Sequence, residues 1–280
     1  MSKVITTGLE KKANYIRQQI LDMCINAGTG HVTSSFSCTE ILVALYHGGI
    51  LRYDVKNPRW PERDRFILSK GQASPLLYVI LADIGFFSED KLEGFCRADG
   101  SFGVHLQSDV PGVEITAGSL GLGFGIAAGM ALAAKMDGKT YRTFALIGDG
   151  ECYEGSVWEA AMFAGHHQLN NLTAIMDRNW LCVTDFTENC VRLDPLDKKW
   201  EAFGWEVVSI DGHSFTDIKS AIARADSPLL EKPLLIIANT VKGKGISFME
   251  NVALWHGLAP KGSDAEKARA ELAAKESEWE

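Results

Sequence analysis

No stretch of this sequence approaches the roughly 18 consecutive apolar residues of a membrane-spanning helix, so no such span is expected. The start, Met1-Ser2-Lys3-Val4, has no apolar run behind its charge, which argues against a secretory signal. Paired cysteine spacings are missing too. Cys24, Cys38, Cys96, Cys152, Cys182 and Cys190 are scattered with no Cys-x-x-Cys, the pattern of reduced, mostly buried thiols in a cytoplasmic protein. Positive charge is scarce: 28 Lys and Arg face 36 Asp and Glu, a formal charge of −8. That balance argues against a nucleic-acid surface, which needs a basic stripe to neutralise phosphates. It leaves open a local cluster for a small anion. Internal repeats and low-complexity linkers are also absent, so residues 1–280 are expected to form a single domain.

What is present reads as an α/β protein. Leu9, Ala13, Ile16, Ile20 and Met23 recur at helical spacing and predict an amphipathic helix over 9–27. Further helices are expected over 39–46 and 75–84. Short apolar runs at 65–68, 143–147, 172–176, 205–210 and 233–238 alternate with helical stretches. Such runs fit a mostly parallel central sheet covered on both faces, a three-layer α/β/α arrangement. Ser263 or Asp264 can cap a last helix at about 264–278. Its large apolar residues are Leu272 and Trp279, so it is expected to be peripheral, closer to a solvated tail than to a packed element.

The strongest local signal is Gly148-Asp149-Gly150-Glu151 at the end of one strand run. Thirty residues after Asp149, a second run ends in Asp177-Arg178-Asn179-Trp180. Ligands of open α/β sheets bind at the carboxyl edge, where these ends would meet. Asp149, Asn179 and the carbonyl of Leu181 would give Mg²⁺ three oxygen ligands and leave positions for a diphosphate. Gly148 and Gly150 would keep side chains out of the way. On its own, Gly-Asp-Gly is also a common turn. The spacing to Asn179 favours the metal reading.

A glycine-rich segment, Gly118-Ser119-Leu120-Gly121-Leu122-Gly123-Phe124-Gly125, runs into an Ala-rich helical stretch. Gly123-x-Gly125-x-x-Ala128 fits a dinucleotide fingerprint, with Asp149 placed as a ribose-binding acid. The preceding residues, 112–116, make a poor strand. Packing between helices is the expected role of Gly125 and Gly129. His31, His105 and His256 each lie in a Gly-rich turn, where imidazole can hydrogen-bond a hydroxyl or phosphate oxygen and move a proton near neutral pH. His47, His166, His167 and His213 are taken as structural, and Cys152 as a small packed residue.

Together these motifs resemble the N-terminal half of transketolase over almost the whole chain. Gly28-x-Gly30-His31 with Ser34-Ser35 is similar to the family's first substrate-histidine loop, and His105 to a histidine facing the donor sugar. Phe66-Ile67-Leu68-Ser69-Lys70-Gly71 resembles the loop at the cofactor diphosphate. Gly118-Ser119-Leu120-Gly121 resembles the turn touching the cofactor rings. Asp149, Asn179 and Leu181 match the metal ligands, and Glu154 an acidic residue of the cofactor network. Val241-Lys242-Gly243-Lys244-Gly245, followed by Trp255-His256-Gly257, resembles the last diphosphate-contacting segment. The resemblance implies thiamine diphosphate and Mg²⁺, or another divalent cation such as Ca²⁺ or Mn²⁺, and two-carbon ketol transfer between sugar phosphates.

Two departures accompany it. Gln72 stands where the family usually has histidine; it can donate a hydrogen bond but cannot move a proton near neutral pH. Leu122 replaces a usually polar residue. The family's full-length chains are also more than twice as long, and the glutamate that activates their cofactor lies on the following domain. The resemblance is therefore to the N-terminal subunit of a split transketolase, working with a C-terminal, pyrimidine-binding partner in an α2β2 assembly. The α subunit of a 2-oxo-acid dehydrogenase shares the Gly-Asp-Gly…Asn pattern and is the alternative within thiamine enzymes; an NAD-dependent oxidoreductase is the alternative outside them.

Overall fold

The computed structural model describes residues 2–277. Met1, Trp279 and the expected end of the last helix at 278 lie outside them. The five apolar runs form strands β1 (Arg65–Leu68), β2 (Thr143–Gly148), β3 (Leu172–Arg178), β4 (Glu206–Asp211) and β5 (Leu234–Asn239). They make one sheet in the order β1-β2-β3-β5-β4, with every neighbouring pair parallel. Central β2 and β3 are buried along their whole length, whereas edge strand β4 is partly exposed. This is why β2 and β3 read as continuous apolar runs instead of alternating ones.

Side chains alternate across the sheet, and the two faces bury separate cores. Phe66, Leu68, Phe144, Leu146, Ile175, Leu234 and Ile236 face one way. Helices α1 (Ser2–Ala27), α2 (Val32–Phe36), α3 (Thr39–Tyr46) and α4 (Ser74–Asp83) contribute to that core. Ile67, Ala145, Ile147, Ala174, Met176 and Leu235 face the other way. There they meet α5 (Leu122–Met136), α6 (Gly155–His166) and, beyond the short α7 (Thr187–Cys190), α8 (Leu196–Ala202). The three layers expected from the sequence are present. Helix α1 begins well before residue 9, and its expected apolar stripe is buried throughout.

Helix α9 (Phe215–Ala223) lies on the α1 face, and α10 (Ser263–Ser277) closes the described chain. α10 is not a solvated tail. Ala265, Ala268 and Leu272 are buried, and Asn14 Nδ2 of α1 donates to the Leu272 carbonyl at 3.1 Å. Two small alanines and one leucine make that face, so the scarcity of large apolar residues in the segment understated its packing.

Candidate active site at the carboxyl edge of the sheet

Because the strands are parallel, β1, β2, β3 and β5 deliver their carboxyl ends to one edge. Beyond β1 come Ser69 and Lys70, beyond β2 Asp149, beyond β3 Asn179, and beyond β5 Val241 and Lys242. A cavity of about 210 Å³ opens there, lined by Lys70, Gln72, Leu120, Gly148, Asp149, Gly150, Glu154, Asn179, Leu181, Lys242 and His256, with Ser34, Glu151, Tyr153, Cys182 and Val183 completing it. The expected oxygen donors Asp149, Asn179 and Leu181 therefore share one wall.

Asp149 is buried. Its Oδ1 accepts from the Gly150 N–H at 2.7 Å and its Oδ2 from the Trp180 N–H at 2.7 Å, with Arg178 Nη1 at 3.3 Å. Burial and the neighbouring Asp177 push its pKa up to about 6 despite Arg178. The Trp180 N–H reaches Asp149 because Trp180 adopts a left-handed backbone, φ 67°. A non-glycine residue pays of order 1–3 kcal/mol for that conformation, strain that clusters at functional sites. The Asn179 amide is fixed from both ends: Nδ2 donates to Asp177 Oδ2 at 3.0 Å, and Oδ1 accepts from the Leu181 N–H at 3.2 Å.

Asp177 was not singled out in the sequence, yet it organises the floor. It has the parity of Ile175 and so points to the α2 face. There it takes hydrogen bonds from Ser37 Oγ at 2.6 Å, from Thr240 and from Lys70, whose Nζ also donates to the Ser34 carbonyl at 3.0 Å. Burial opposes its charge, but Lys70 and these donors outweigh it and hold the carboxyl below its ordinary value. The Lys70 charge is thus engaged inside the protein. Glu151 is the second missed residue: its carboxylate accepts from Ser69, from the Gly121 N–H at 2.8 Å and from the Gly148 N–H at 2.9 Å. It ties three loops of the site together. The available signal was position: charged residues at the ends of buried strands must find partners.

The three histidines from distant turns meet. The His31 ring lies 5.7 Å from that of His105 and 5.6 Å from that of His256. Burial, then the charges of neighbouring His and Lys groups, lowers His31 to about 4 and His256 to about 3, so both are neutral near pH 7. Lys242 Nζ contacts His256 Nδ1 at 2.9 Å and donates to the Leu181 carbonyl at 3.3 Å. An ammonium can only donate, so the hydrogen-bond network places the His256 proton on Nε2. His31 Nδ1 and His105 Nδ1 are buried without a hydrogen-bond partner. Both rings stand outside the cavity lining; His31 adjoins it through His256, and His105 stacks on His31. Gly118 packs against the His105 ring, where an added Cβ would come within 3.4 Å. Ser119 is exposed, and Val241 turns its N–H to His213 Nε2 at 2.9 Å instead of lining the cavity.

The glycine readings divide. A Cβ at Gly148 or Gly150 would come no closer than 3.7 Å or 3.4 Å to other atoms, so internal packing does not demand glycine at either. Gly123 is demanded: a Cβ there would sit 2.8 Å from Ser69 Cα. The expectation that Gly125 and Gly129 pack helices fails among the described residues, because both are exposed with nothing there within 4 Å of an added Cβ. The dinucleotide reading also lacks its context, since no strand among the described residues precedes Gly121 and leads into α5. Cys152 is a packed residue, as expected.

Residues 9–279 match the family described as transketolase, thiamine diphosphate binding domain. The chain is 43% identical over 251 residues to the 6-deoxy-6-sulfo-D-fructose transketolase subunit SqwG of Clostridium sp., covering 89% of this chain and 90% of that protein. It is 43% identical over 267 residues to an apulose-4-phosphate transketolase subunit of Actinobacillus succinogenes, covering 94% and 95%. The crystal structure of transketolase from Campylobacter jejuni superposes with a TM-score of 0.84 at 30% identity, over 97% of this chain and 47% of that one. The chain therefore spans about half of that longer enzyme and nearly all of the two shorter relatives. With the parallel sheet, its carboxyl-edge cavity and a match running along almost every residue, the chain belongs to the transketolase family, as a thiamine-diphosphate-binding domain.

Proposed function

We propose that this chain is the N-terminal subunit of a split, thiamine-diphosphate- and Mg²⁺-dependent transketolase, active only with a pyrimidine-binding partner, in a cytoplasmic α2β2 assembly. The observation that carries this reading is the convergence of Asp149, Asn179 and the Leu181 carbonyl with the His256–Lys242 pair on one cavity. A carboxylate, an amide oxygen and a carbonyl form the hard-oxygen set that Mg²⁺ prefers, and that Ca²⁺ or Mn²⁺ would accept. Two further observations fit a resident ligand. Gly148 and Gly150 are not required by packing, and two histidine nitrogens are buried without partners.

Asp149, Asn179 and Leu181 would hold the metal, with Asp177 keeping the Asn179 oxygen turned away from itself. Ser69, Gln72, Gly118, Ser119, Leu120, Glu154, Val241 and Lys242 would frame the cofactor, several of them through backbone or through Glu151. When bound, thiamine diphosphate supplies the electron sink for cleaving the bond beyond a ketose carbonyl. His31 and His256 are neutral near pH 7, so each can both accept and donate a hydrogen bond. Together with His105 they would hold the donor hydroxyls. The Nε2 proton of His256 is available to a substrate oxygen because Lys242 occupies Nδ1. The two shorter relatives act, by their names, on ketoses with an anionic end, one sulfonate and one phosphate. We accordingly propose a donor of that class, most simply a ketose phosphate, with an aldose or aldose phosphate as acceptor.

Calorimetry on the complex with a pyrimidine-binding half tests the reading. Thiamine diphosphate should bind only with a divalent cation, NAD should not bind, and Asp149→Ala should weaken the cofactor at least tenfold. Ketol transfer should require both halves. Full transfer activity from this chain alone would overturn the split-enzyme reading.

A further inference from the structure

Cys182 and Cys190 are eight positions apart in the sequence, and their sulfurs lie 3.4 Å apart at the rim of the cavity. The segment carrying them is a tight hairpin. Leu181 bridges Phe186, the Cys182 N–H donates to the Asp185 carbonyl at 3.0 Å, and the Cys190 N–H donates to the Phe186 carbonyl at 3.2 Å. Its base is anchored to the body of the protein. The Thr187 N–H donates to the Trp180 carbonyl at 2.9 Å, and Tyr153 Oη donates to the Thr187 carbonyl at 2.6 Å. Arg178 Nη1 adds a hydrogen bond to Thr187 Oγ1 at 2.8 Å. Both sulfurs are thus presented to each other by backbone held on either side, with Thr184 Oγ1 beside the pair at 3.8 Å from Cys182 Sγ and 3.6 Å from Cys190 Sγ.

We propose that Cys182 and Cys190 are a peroxide-responsive dithiol that closes to a disulfide and clasps the 182–190 hairpin. A disulfide needs the sulfurs about 2.0 Å apart, so they must approach by roughly 1.4 Å from 3.4 Å. Cys190 is exposed and meets the oxidant first, whereas Cys24, Cys38 and Cys152 are buried. Its sulfur attacks one oxygen of hydrogen peroxide, the O–O bond breaks, and the products are a sulfenic acid and water. Cys182 then attacks the Cys190 sulfur. The S–O bond breaks, the S–S bond forms, and a second water leaves carrying the thiol proton. Two thiols are oxidised by two electrons and one hydrogen peroxide is reduced to two waters; a small dithiol reverses the change.

The link bears on the cavity because Leu181, Cys182 and Val183 form part of its wall. Closing it ties that wall to α7. The inference does not depend on what the cavity holds.

The test is peptide mapping of the full-length folded chain after titration with hydrogen peroxide, with unreacted thiols alkylated. The expected result is a 182–190 cross-link that appears before any other cysteine is modified and disappears with dithiothreitol. Hydrogen exchange of the amides between the two cysteines should slow in the oxidised form. Cys182→Ser should leave Cys190 as a sulfenic acid that dimedone traps, and Cys190→Ser should abolish the cross-link. Retention of both free thiols at doses that oxidise methionine, or an intermolecular link in its place, overturns the proposal.

Discussion

The buried pair between Arg17 of α1 and Glu40 of α3 offers a quantitative test of how the site is braced. Arg17 donates to both Glu40 oxygens at 2.7 Å, and Glu40 Oε2 also meets His213 Nδ1 at 2.9 Å. His213 in turn accepts the N–H of Val241, the residue before Lys242. Burial raises the Glu40 carboxyl, but Arg17 and His213 more than reverse this and bring it from an ordinary 4.5 to about 2. A tenfold change in proton affinity corresponds to about 1.36 kcal/mol, so the charged form contributes roughly 3 kcal/mol to folding at neutral pH. The folded pKa is depressed. The contribution is therefore fully present above about pH 4.5 and is lost as pH falls towards about 2. Glu40→Gln removes the charge and leaves Arg17 buried, a change that costs about 3–5 kcal/mol for an interrupted buried pair. For a chain of this size the variant should melt roughly 6–12 °C lower at pH 7 by scanning calorimetry. The gap should persist at pH 5 and shrink by roughly 2 kcal/mol at pH 3. A gap that does not change between pH 7 and pH 3 would refute the electrostatic account and assign the cost to packing.

Two other perturbations probe the floor of the site. Gly123→Ala places a Cβ 2.8 Å from Ser69 Cα, and it should cost about 1–3 kcal/mol through overpacking while displacing the Ser69–Lys70 loop; thermal melting reads the first effect and cofactor calorimetry the second. Asp177→Asn breaks the buried pair with Lys70 and should destabilise the chain by about 3–5 kcal/mol. It also frees the Asn179 amide to flip, so cation-dependent cofactor affinity should fall in the melt-competent fraction, and unchanged affinity would remove Asp177 from its positioning role.

Much of the fold was legible because its signals are local. The strand β1 and the helix α3 appear with the expected bounds, and the other four strands differ by one or two residues at their ends. β-branched and apolar runs of four to seven residues between helical stretches leave little choice of class. The α10 helix was placed correctly but its burial was underestimated, since its buried face consists mainly of alanines that meet α1, an element distant in sequence. Gly125 and Gly129 were misread for a related reason. Glycine in a helix permits a close approach without specifying one, and no atom among the described residues comes within 4 Å of a Cβ placed at either position.

The site divides along the same line. Asp149 and Asn179 could be found from sequence because strand ends and their spacing are one-dimensional facts, and a parallel sheet brings such ends to one edge. The parity that turns Asp177 towards Lys70, Ser37 and Thr240, and the reach of Glu151 to Ser69, Gly121 and Gly148, are fixed only when separate loops are superposed. Residue type and order determined which groups arrive at the carboxyl edge. The tertiary structure decided which of their charges pair with one another, because Lys70 and Lys242 both line the cavity, yet Lys70 pairs with the buried Asp177 whereas Lys242 meets neutral His256. That choice rests on distances and burial between segments over a hundred residues apart, which no local pattern encodes.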